Sequence, residues 1–362
     1  WPIPLLPTAQ LTHDVLDKAE TSPTLHAKPP ELLLNNDRTG LYLTIYDQAQ
    51  TAQLAAAVAA GRLSDLDRLG LLSDNFEAAK AGYAPTTQAL QLLAAYSKES
   101  SAVVWDIIAA NLGSIRMVMD DEELRAAMRP FTRELASEQL KRLGWNEKKS
   151  DSHFDRLLRP VILGLSSFGE DPHVVKEAKK RFDEAKTSED IHPDLRGVVY
   201  GTISRLGGEA EFNKLLALHN ASTNSEERVT LATALTNFEQ PELIKRSLDL
   251  ITSDDVRLQD APYWIAYSFM NRHARRATWE WLTEHWDWLT SNIGSDLSFF
   301  RMPIYAGRCF SDLDFLPEFK KFFEAKLTPA FDRPFKQAIE IMEWQAAWKE
   351  RDLHSLKKFF ES

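Results

Sequence analysis

The densest basic stretch of the chain is MNRHARR, which places Arg272, Arg275 and Arg276 in or beside a turn between two predicted helices. A guanidinium group is planar, so it can hold a carboxylate through two parallel hydrogen bonds. Tyr96 and Lys98, which follow the predicted helix TQALQLLAAY, are a second candidate pair for such a contact. The alternative is a solvated turn whose arginines form ion pairs with neighbouring glutamates.

A second candidate is the aromatic segment TWEWLTEHWDWL. Trp279 and Trp286 are seven residues apart and share one helical face, as do Trp281 and Trp288. Such aromatic density can form a ligand platform, but large rings also fill the space between stacked helices. We expect Trp279 and Trp286 to have the second, structural role.

The short motifs of common catalytic sites are missing from the sequence. It has no H-E-x-x-H, no P-loop, no G-x-S-x-G and no Cys-x-x-Cys. The acidic run at residues 120–123 could supply the paired carboxylates of a glycosidase, but acidic residues also stabilise the first turn of a helix. His273 and His285 are too far apart along one helix to share a metal ion. No catalytic residue and no metal ligand is therefore predicted in this chain.

Arg68 and Asp74 lie in the segment DRLGLLSDNF. At this spacing they do not face each other on one helix. We expect each to hold a neighbouring helix or strand through a buried, charged hydrogen bond. Their predicted role is structural.

The composition narrows the class of protein. The chain has 362 residues and a formal net charge of -10, which argues against a general nucleic-acid binder because phosphate binding needs a surplus of Lys and Arg. No apolar run approaches the roughly 20 residues of a membrane span. The single cysteine, Cys309, is typical of a reducing compartment, so we expect a cytoplasmic location.

Two types of pattern follow each other along the chain. Short, proline-rich alternations in WPIPLLP, Thr24 to Lys28, Glu31 to Leu34 and Leu41 to Tyr46 predict a few strands that need a partner sheet. From residue 47 the period is helical, with Ser64 as a predicted N-cap and Gly82 as the end of its helix. The fold class predicted is mostly α: an α-superhelix of stacked antiparallel helix pairs, HEAT- or armadillo-like, preceded by a small β-sandwich remnant.

Five segments in order carry a family resemblance: WPIPLL, LLLNNDRTGLYLTIYD, LSDLDRLGLLSDNFEAAKAG, AYSKESSAVVW and FMNRHARRATWEWLTEHWDWL. Together they resemble the C-terminal part of the aminopeptidase N family of zinc metallopeptidases, with a helical domain of the ER aminopeptidase type. The residues that fit its motifs are Arg68, Asp74, Phe76, Asn271, Trp279, Trp281 and Trp286. The chain departs from the pattern at Leu43, where the family has Arg, and at Arg272 and Ala274, where it has Pro and Gly. Met270 stands where some relatives place an arginine that lines the peptide cavity.

The resemblance implies a division into residues 1–46, the last strands of a β-sandwich domain, and residues 47–362, a helical cap. It implies that the catalytic domain, with its zinc ion, lies upstream, and that the cap encloses the active-site cavity. The cap then helps to bind the peptide whose N-terminal residue the catalytic domain removes. Tyr96, Lys98, Arg272 and Arg276 are the candidate peptide-binding residues.

The resemblance also implies partners. They are the catalytic and β-sandwich domains of the parent chain and the peptide substrate. We expect the orphan sheet to expose Trp1, Ile3, Leu5 and Leu41 and to support a dimer through its edge.

Two other functions stay open. A stand-alone helical-repeat scaffold would bind a protein or peptide partner without a catalytic domain. A toroidal carbohydrate-active enzyme would need two catalytic carboxylates, and no aromatic–carboxylate constellation is identifiable.

Overall fold

Helices make up most of the protein. The computed structural model describes residues 2–26 and 31–361, and within these ranges it contains seventeen α-helices and one two-stranded sheet. The mostly α fold class predicted from the sequence is confirmed. The helices are α1 (Gln48–Ala59), α2 (Asp65–Ala81), α3 (Thr86–Leu93), α4 (Ala102–Val118), α5 (Glu122–Leu143), α6 (His153–Phe168), α7 (Pro172–Glu184), α8 (Pro193–Leu206), α9 (Glu209–Ala221), α10 (Ser225–Leu235), α11 (Pro241–Leu250), α12 (Ala261–Met270), α13 (Arg275–Glu284), α14 (Trp286–Ile293), α15 (Met302–Gly307), α16 (Leu316–Glu324) and α17 (Pro329–Glu361).

The sheet is smaller than the sequence pattern predicts. Strand β1 (Ile3–Pro4) pairs antiparallel with β2 (Val15–Leu16), so the strand predicted in WPIPLLP is present. Leu25 forms an isolated bridge with Leu11. The last two residues of the strand predicted from Thr24 to Lys28 lie outside the described residues.

The strands predicted at Glu31 to Leu34 and Leu41 to Tyr46 are wrong. Asn35 takes a left-handed conformation with φ 56°, and its side-chain amide donates to the Gly40 and Tyr42 carbonyl oxygens at 3.0 and 3.1 Å. These bonds use backbone groups that a strand ladder would need. The alternating pattern therefore lies on an irregular segment.

The chain forms two compact units. Unit 1 contains residues up to 113, 130–165 and from 351 onward. Ser64 caps α2 by accepting a hydrogen bond from the Asp67 backbone N–H at 3.1 Å, and Gly82 ends the helix with φ 83°, so both predicted boundaries are confirmed. Thr86 donates from its backbone N–H and hydroxyl to the buried carboxylate of Asp352, which ties α3 to the C-terminal third of α17.

Unit 2 contains residues 114–129 and 166–350. Its helices α8, α10, α12 and α15 pack side by side in chain order, and we call them the inner row. A second set, α7, α9, α11 and α13, packs against this row. Aromatic pairs fill the space between helices, including Phe182 with Tyr200 and Phe212 with Phe238.

The tryptophans of the aromatic segment lie in the core of unit 2. Trp279 is 1% exposed and Trp286 is 8% exposed, and a break at His285 places them on α13 and α14. Both rings nevertheless pack against Phe322 and Phe323 of α16. Their surroundings are those of packing side chains.

The apolar residues expected on an exposed sheet have different environments. Leu41 is fully exposed, and Ile3 is half-buried. Leu5 is buried, so its predicted exposure is wrong. Its carbonyl oxygen accepts hydrogen bonds from the Asn35 N–H at 2.8 Å and from the Tyr42 hydroxyl. These two bonds hold the 35–42 segment over Leu5. Trp1 lies outside the described residues. Among the described helices, none combines the length and apolar character needed to cross a membrane.

Candidate functional site

The turn that carries the basic stretch is fixed by Asn271. This residue is buried, and its side-chain amide donates to the carbonyl oxygens of Thr236 and Phe238 at 3.0 and 2.7 Å. Its side-chain oxygen accepts from the His273 N–H at 3.0 Å. The turn after α12 is therefore anchored to the end of α10, and it presents its arginines from a rigid base.

Two of these arginines already hold a carboxylate of the chain. Arg272 Nε lies 2.6 Å from one oxygen of Asp120, and Arg275 Nη1 lies 2.9 Å from the other. Arg272 also pairs with Glu122. The acidic run predicted as a helix N-terminus is at the start of α5, where the Asp121 carboxylate accepts from the Leu124 N–H at 2.9 Å. A peptide carboxylate would have to compete with Asp120 for Arg272.

Arg276 is held in a similar way. Its two terminal nitrogens bond both oxygens of Glu318 at 2.7 and 3.0 Å, and its Nε bonds Glu280 at 3.1 Å. The Trp279 indole N–H donates to Glu318 at 2.7 Å. The hydrogen bonds that Arg276 donates to Glu318 first, and then to Glu280, raise the pKa of Arg276. The side chain is more than half exposed, so these pairs are the solvated ion pairs of the alternative interpretation.

Tyr96 and Lys98 lie in unit 1 and have opposite exposure. Tyr96 is 0% exposed, its hydroxyl donates to the Arg68 carbonyl oxygen at 2.7 Å, and burial raises its pKa. A side chain without exposed surface cannot contact a peptide, so this structure gives Tyr96 a packing role in place of the predicted one. Lys98 is exposed and stays a candidate.

Arg68 and Asp74 bond to different neighbours. Arg68 bonds Glu99 and the Leu63 carbonyl oxygen. Asp74 is buried and accepts from the Thr44 backbone N–H at 2.9 Å, which ties the irregular 41–46 segment to α2. Burial raises the pKa of Asp74, although the Thr44 N–H opposes the shift.

The inner row of unit 2 has an uncovered side that the sequence analysis missed. The second set of helices packs against this row, and we infer that the exposed residues of the inner row share the side that these helices do not cover. On α8 this side carries Gly197 and Gly201, and a Cβ atom added to either would meet no atom within 4 Å. A glycine inside a helix costs about 0.5–1 kcal/mol relative to alanine. No packing contact of the described chain explains these two.

Tyrosines follow on the same side of the row. Tyr263 is 49% exposed, and its ring stacks on Tyr267, one helical turn away, with ring centroids 6.3 Å apart. Met270 continues this stripe at the end of α12 and is exposed. Burial first of all raises the pKa of Tyr305 on α15, the charge of Arg301 opposes this shift, and Tyr263 adds to it.

We call this surface the open face. We define it by six exposed or half-buried residues of α8, α10 and α12: Gly197, Gly201, Thr230, Thr233, Tyr263 and Tyr267. The signal that could have revealed it is the i, i+4 spacing of two glycines in RGVVYG, inside a predicted helix. Small residues and stacked phenols on helices of the same row suit an extended chain, since its backbone can approach the small residues closely and its side chains can pack on the rings.

A metal centre does not form in the described part of the chain. In residues 2–26 and 31–361, no three His, Cys, Asp or Glu side chains are grouped so that they could hold a metal ion. The zinc ion that the resemblance implies therefore has no fitting ligand set among these residues.

Comparison with known proteins gives consistent matches along the chain. Residues 32–343 match the family model described as ERAP1-like C-terminal domain. The chain is 30% identical to Aminopeptidase 2 of Candida albicans over 91% of its length. It is 28% identical to Aminopeptidase 2, mitochondrial, of Saccharomyces cerevisiae over 95% and 28% identical to Aminopeptidase M1 of Arabidopsis thaliana over 90%. These alignments cover 36%, 36% and 37% of the three relatives, so the chain spans about a third of their length.

Proposed function

Because the chain belongs to the ERAP1-like C-terminal domain family, we propose that it is the non-catalytic, peptide-binding cap of a zinc aminopeptidase. In this proposal the cap encloses the active-site cavity. It holds a peptide whose N-terminal residue is hydrolysed by a catalytic domain elsewhere in the longer protein. The relatives named as aminopeptidases support the enzyme class.

The observation that carries the peptide-binding role is the pair of glycines on α8. Both lie inside a helix, and the space above both is open. Each glycine lowers the stability of the helix relative to alanine. A binding role for this surface would explain why glycine is present at both positions. A peptide backbone can lie against a helix at such positions, because there is no Cβ atom to hold it away.

The tyrosines of α12 supply the rest of the contact. A phenol ring offers a large apolar area at a low entropic cost, and its hydroxyl can bond a peptide carbonyl or amide. These contacts do not depend on one peptide sequence. The open face therefore suits substrates that share a backbone but differ in side chains.

The other parts of the proposal concern the longer protein. The partners would be the catalytic and β-sandwich domains, and the zinc ion would be bound in the catalytic domain. A cytoplasmic location also belongs to the proposal, and one relative is named as mitochondrial. A dimer through the exposed Leu41 and the half-buried Ile3 is a further proposal, which sedimentation of the wild type and of Leu41→Ser would test.

The experiment is a peptide titration followed by fluorescence anisotropy. The double variant Gly197→Leu/Gly201→Leu fills the open face with side chains, and we expect it to weaken the binding of a labelled peptide by about tenfold or more, a loss of about 1.4 kcal/mol. Gly164→Leu is the matched control, because Gly164 is also a helical glycine with open space around its Cβ position but lies on α6 in unit 1. Equal affinity of the double variant and the control would overturn the assignment of the open face.

A further inference from the structure

Arg116 is a cation without an anionic partner. It lies in the last turn of α4, and its guanidinium carbon sits 3.8 Å from the centre of the Phe168 ring. This stacking fixes the plane of the guanidinium and leaves its N–H edge free. Among the described residues, no carboxylate lies within ion-pair distance of Arg116.

The nearest charged groups of Arg116 are other arginines. Arg125 of α5 donates from Nη1 to the Arg116 carbonyl oxygen at 3.1 Å, and it also forms no ion pair with a described carboxylate. Arg205 of α8 is the third member. Burial first, and then the cations of Arg125 and Arg205, lower the pKa of Arg116 to about 10, so the Arg116 guanidinium remains charged at neutral pH.

The carboxylates near Arg116 and Arg125 are bound by other arginines. Glu170 pairs with Arg205 at 3.2 Å and with Arg129 at 3.4 Å, and Arg205 also donates to the Ser167 carbonyl oxygen at 2.6 Å. The charges of Asp120 and Glu122 act on Arg125, but these carboxylates form their ion pairs with Arg272 and Arg275. The positive charge of Arg116 and Arg125 is therefore left unbalanced within a chain whose net charge is -10.

We propose that Arg116 and Arg125, with Arg205 beside them, form a binding site for a phosphate group. Two arginines without anionic partners match a dianion better than a single carboxylate, which one bidentate arginine can satisfy. Phosphate would accept hydrogen bonds from the remaining N–H groups of both guanidinium groups and reduce the repulsion between the two cations. Arg205 follows Gly201 by one turn of α8, but Arg116 and Arg125, which carry the proposal, lie on α4 and α5 and are not residues of the open face. The inference does not rest on peptide binding.

The test is calorimetric titration of the full chain with inorganic phosphate. We expect binding at one site per chain, and weakening of about tenfold or more in Arg116→Met and in Arg125→Met, as for the loss of a charge-assisted hydrogen bond. Methionine keeps an unbranched apolar stem against Phe168 and removes the charge. Arg156→Met is the matched control, because Arg156 is an exposed arginine of α6 in unit 1 and its loss changes the net charge equally.

Three further arms define the ligand. Acetate at the same ionic strength should bind much more weakly than phosphate. Glycerol phosphate separates the two sources of the group: tighter binding than inorganic phosphate identifies a phosphorylated small molecule, and equal binding identifies the free ion. Thermal unfolding with and without phosphate gives an independent readout, since a ligand of the folded state raises the melting temperature. Absence of phosphate binding to the wild type, or an equal loss in Arg156→Met, would overturn the proposal.

Discussion

The guanidinium of Arg68 meets the carboxylate of Glu99 in a two-point hydrogen bond, Nε to Oε2 at 2.6 Å and Nη2 to Oε1 at 2.9 Å. The Glu99 side chain is only 2% exposed, and its Oε1 also accepts from the backbone N–H groups of Ser100 and Ser101. The pair connects the start of α2 to the loop before α4. It joins two segments 31 residues apart in sequence.

Removal of one member of this pair should be costly. We expect Arg68→Ala to lower the free energy of unfolding by about 3–5 kcal/mol, because it leaves the buried Glu99 carboxylate without its cation. Arg68→Lys should recover only part of the loss, since a lysine cannot form the two parallel bonds. Urea denaturation measures both values. Losses below about 1 kcal/mol, as for an exposed ion pair, would contradict this description.

Asp74 should make stability depend on pH. Its folded pKa is raised above the ordinary 3.8, so as the pH rises the unfolded chain loses this proton before the folded chain does. The unfolded state then binds fewer protons, and the wild type loses stability with rising pH through this group. We expect Asp74→Asn, which keeps an oxygen for the Thr44 N–H, to gain stability relative to the wild type between about pH 4 and neutrality.

The measurement is denaturant unfolding of Asp74→Asn and wild type across that range. Asp254→Asn, at an exposed position, corrects for the loss of one negative charge from the chain. A difference between Asp74→Asn and wild type that stays flat with pH would show that the buried carboxyl does not carry the effect.

The glycines of α8 should lower the stability of the chain relative to alanine at the same positions. Gly201→Ala should stabilise the chain by about 0.5–1 kcal/mol, since alanine has the higher helix propensity and its methyl group meets nothing within 4 Å. Gly207→Ala is the contrast: there a Cβ atom would lie 2.7 Å from the Ile203 carbonyl oxygen, so the chain should lose stability. Urea titrations rank the two, and the reverse order would refute the described geometry of α8.

Cys309 should be inert in the folded chain. Burial first of all raises the pKa of its thiol to about 11, and only a thiolate reacts readily with thiol reagents. We expect no rapid labelling of the native chain at neutral pH and full labelling in guanidinium chloride. Rapid labelling of the native chain would place Cys309 in an open environment.

The sequence predicts local features of this fold better than distant ones. Ser64 and Gly82 mark the ends of α2 because capping depends on neighbouring residues. The strand predicted from Leu41 to Tyr46 fails because the Asn35 side chain captures backbone groups in this segment, which alternation cannot reveal. Arg68 pairs with Glu99, and Arg272 pairs with Asp120. Residues so far apart in sequence meet only because the helices pack together, so the sequence alone does not predict these ion pairs.

The same limit applies to the candidate site. The basic turn was identifiable from the sequence. The ion pairs of its arginines with Asp120 and Glu318 were not, because these carboxylates lie far from the turn in sequence. The open face was missed because glycine inside a helix reads as a weak local signal. The structure adds the observation that the space above Gly197 and Gly201 is open, and this observation indicates a binding surface.

The most direct test of the central claim uses the wild-type chain and a labelled peptide with a free amino terminus. Anisotropy measures binding, and mass spectrometry of the same sample measures any loss of the first residue. The proposal predicts saturable binding and a peptide recovered intact. Release of the N-terminal residue by this chain alone, or no binding at any peptide concentration, would contradict it.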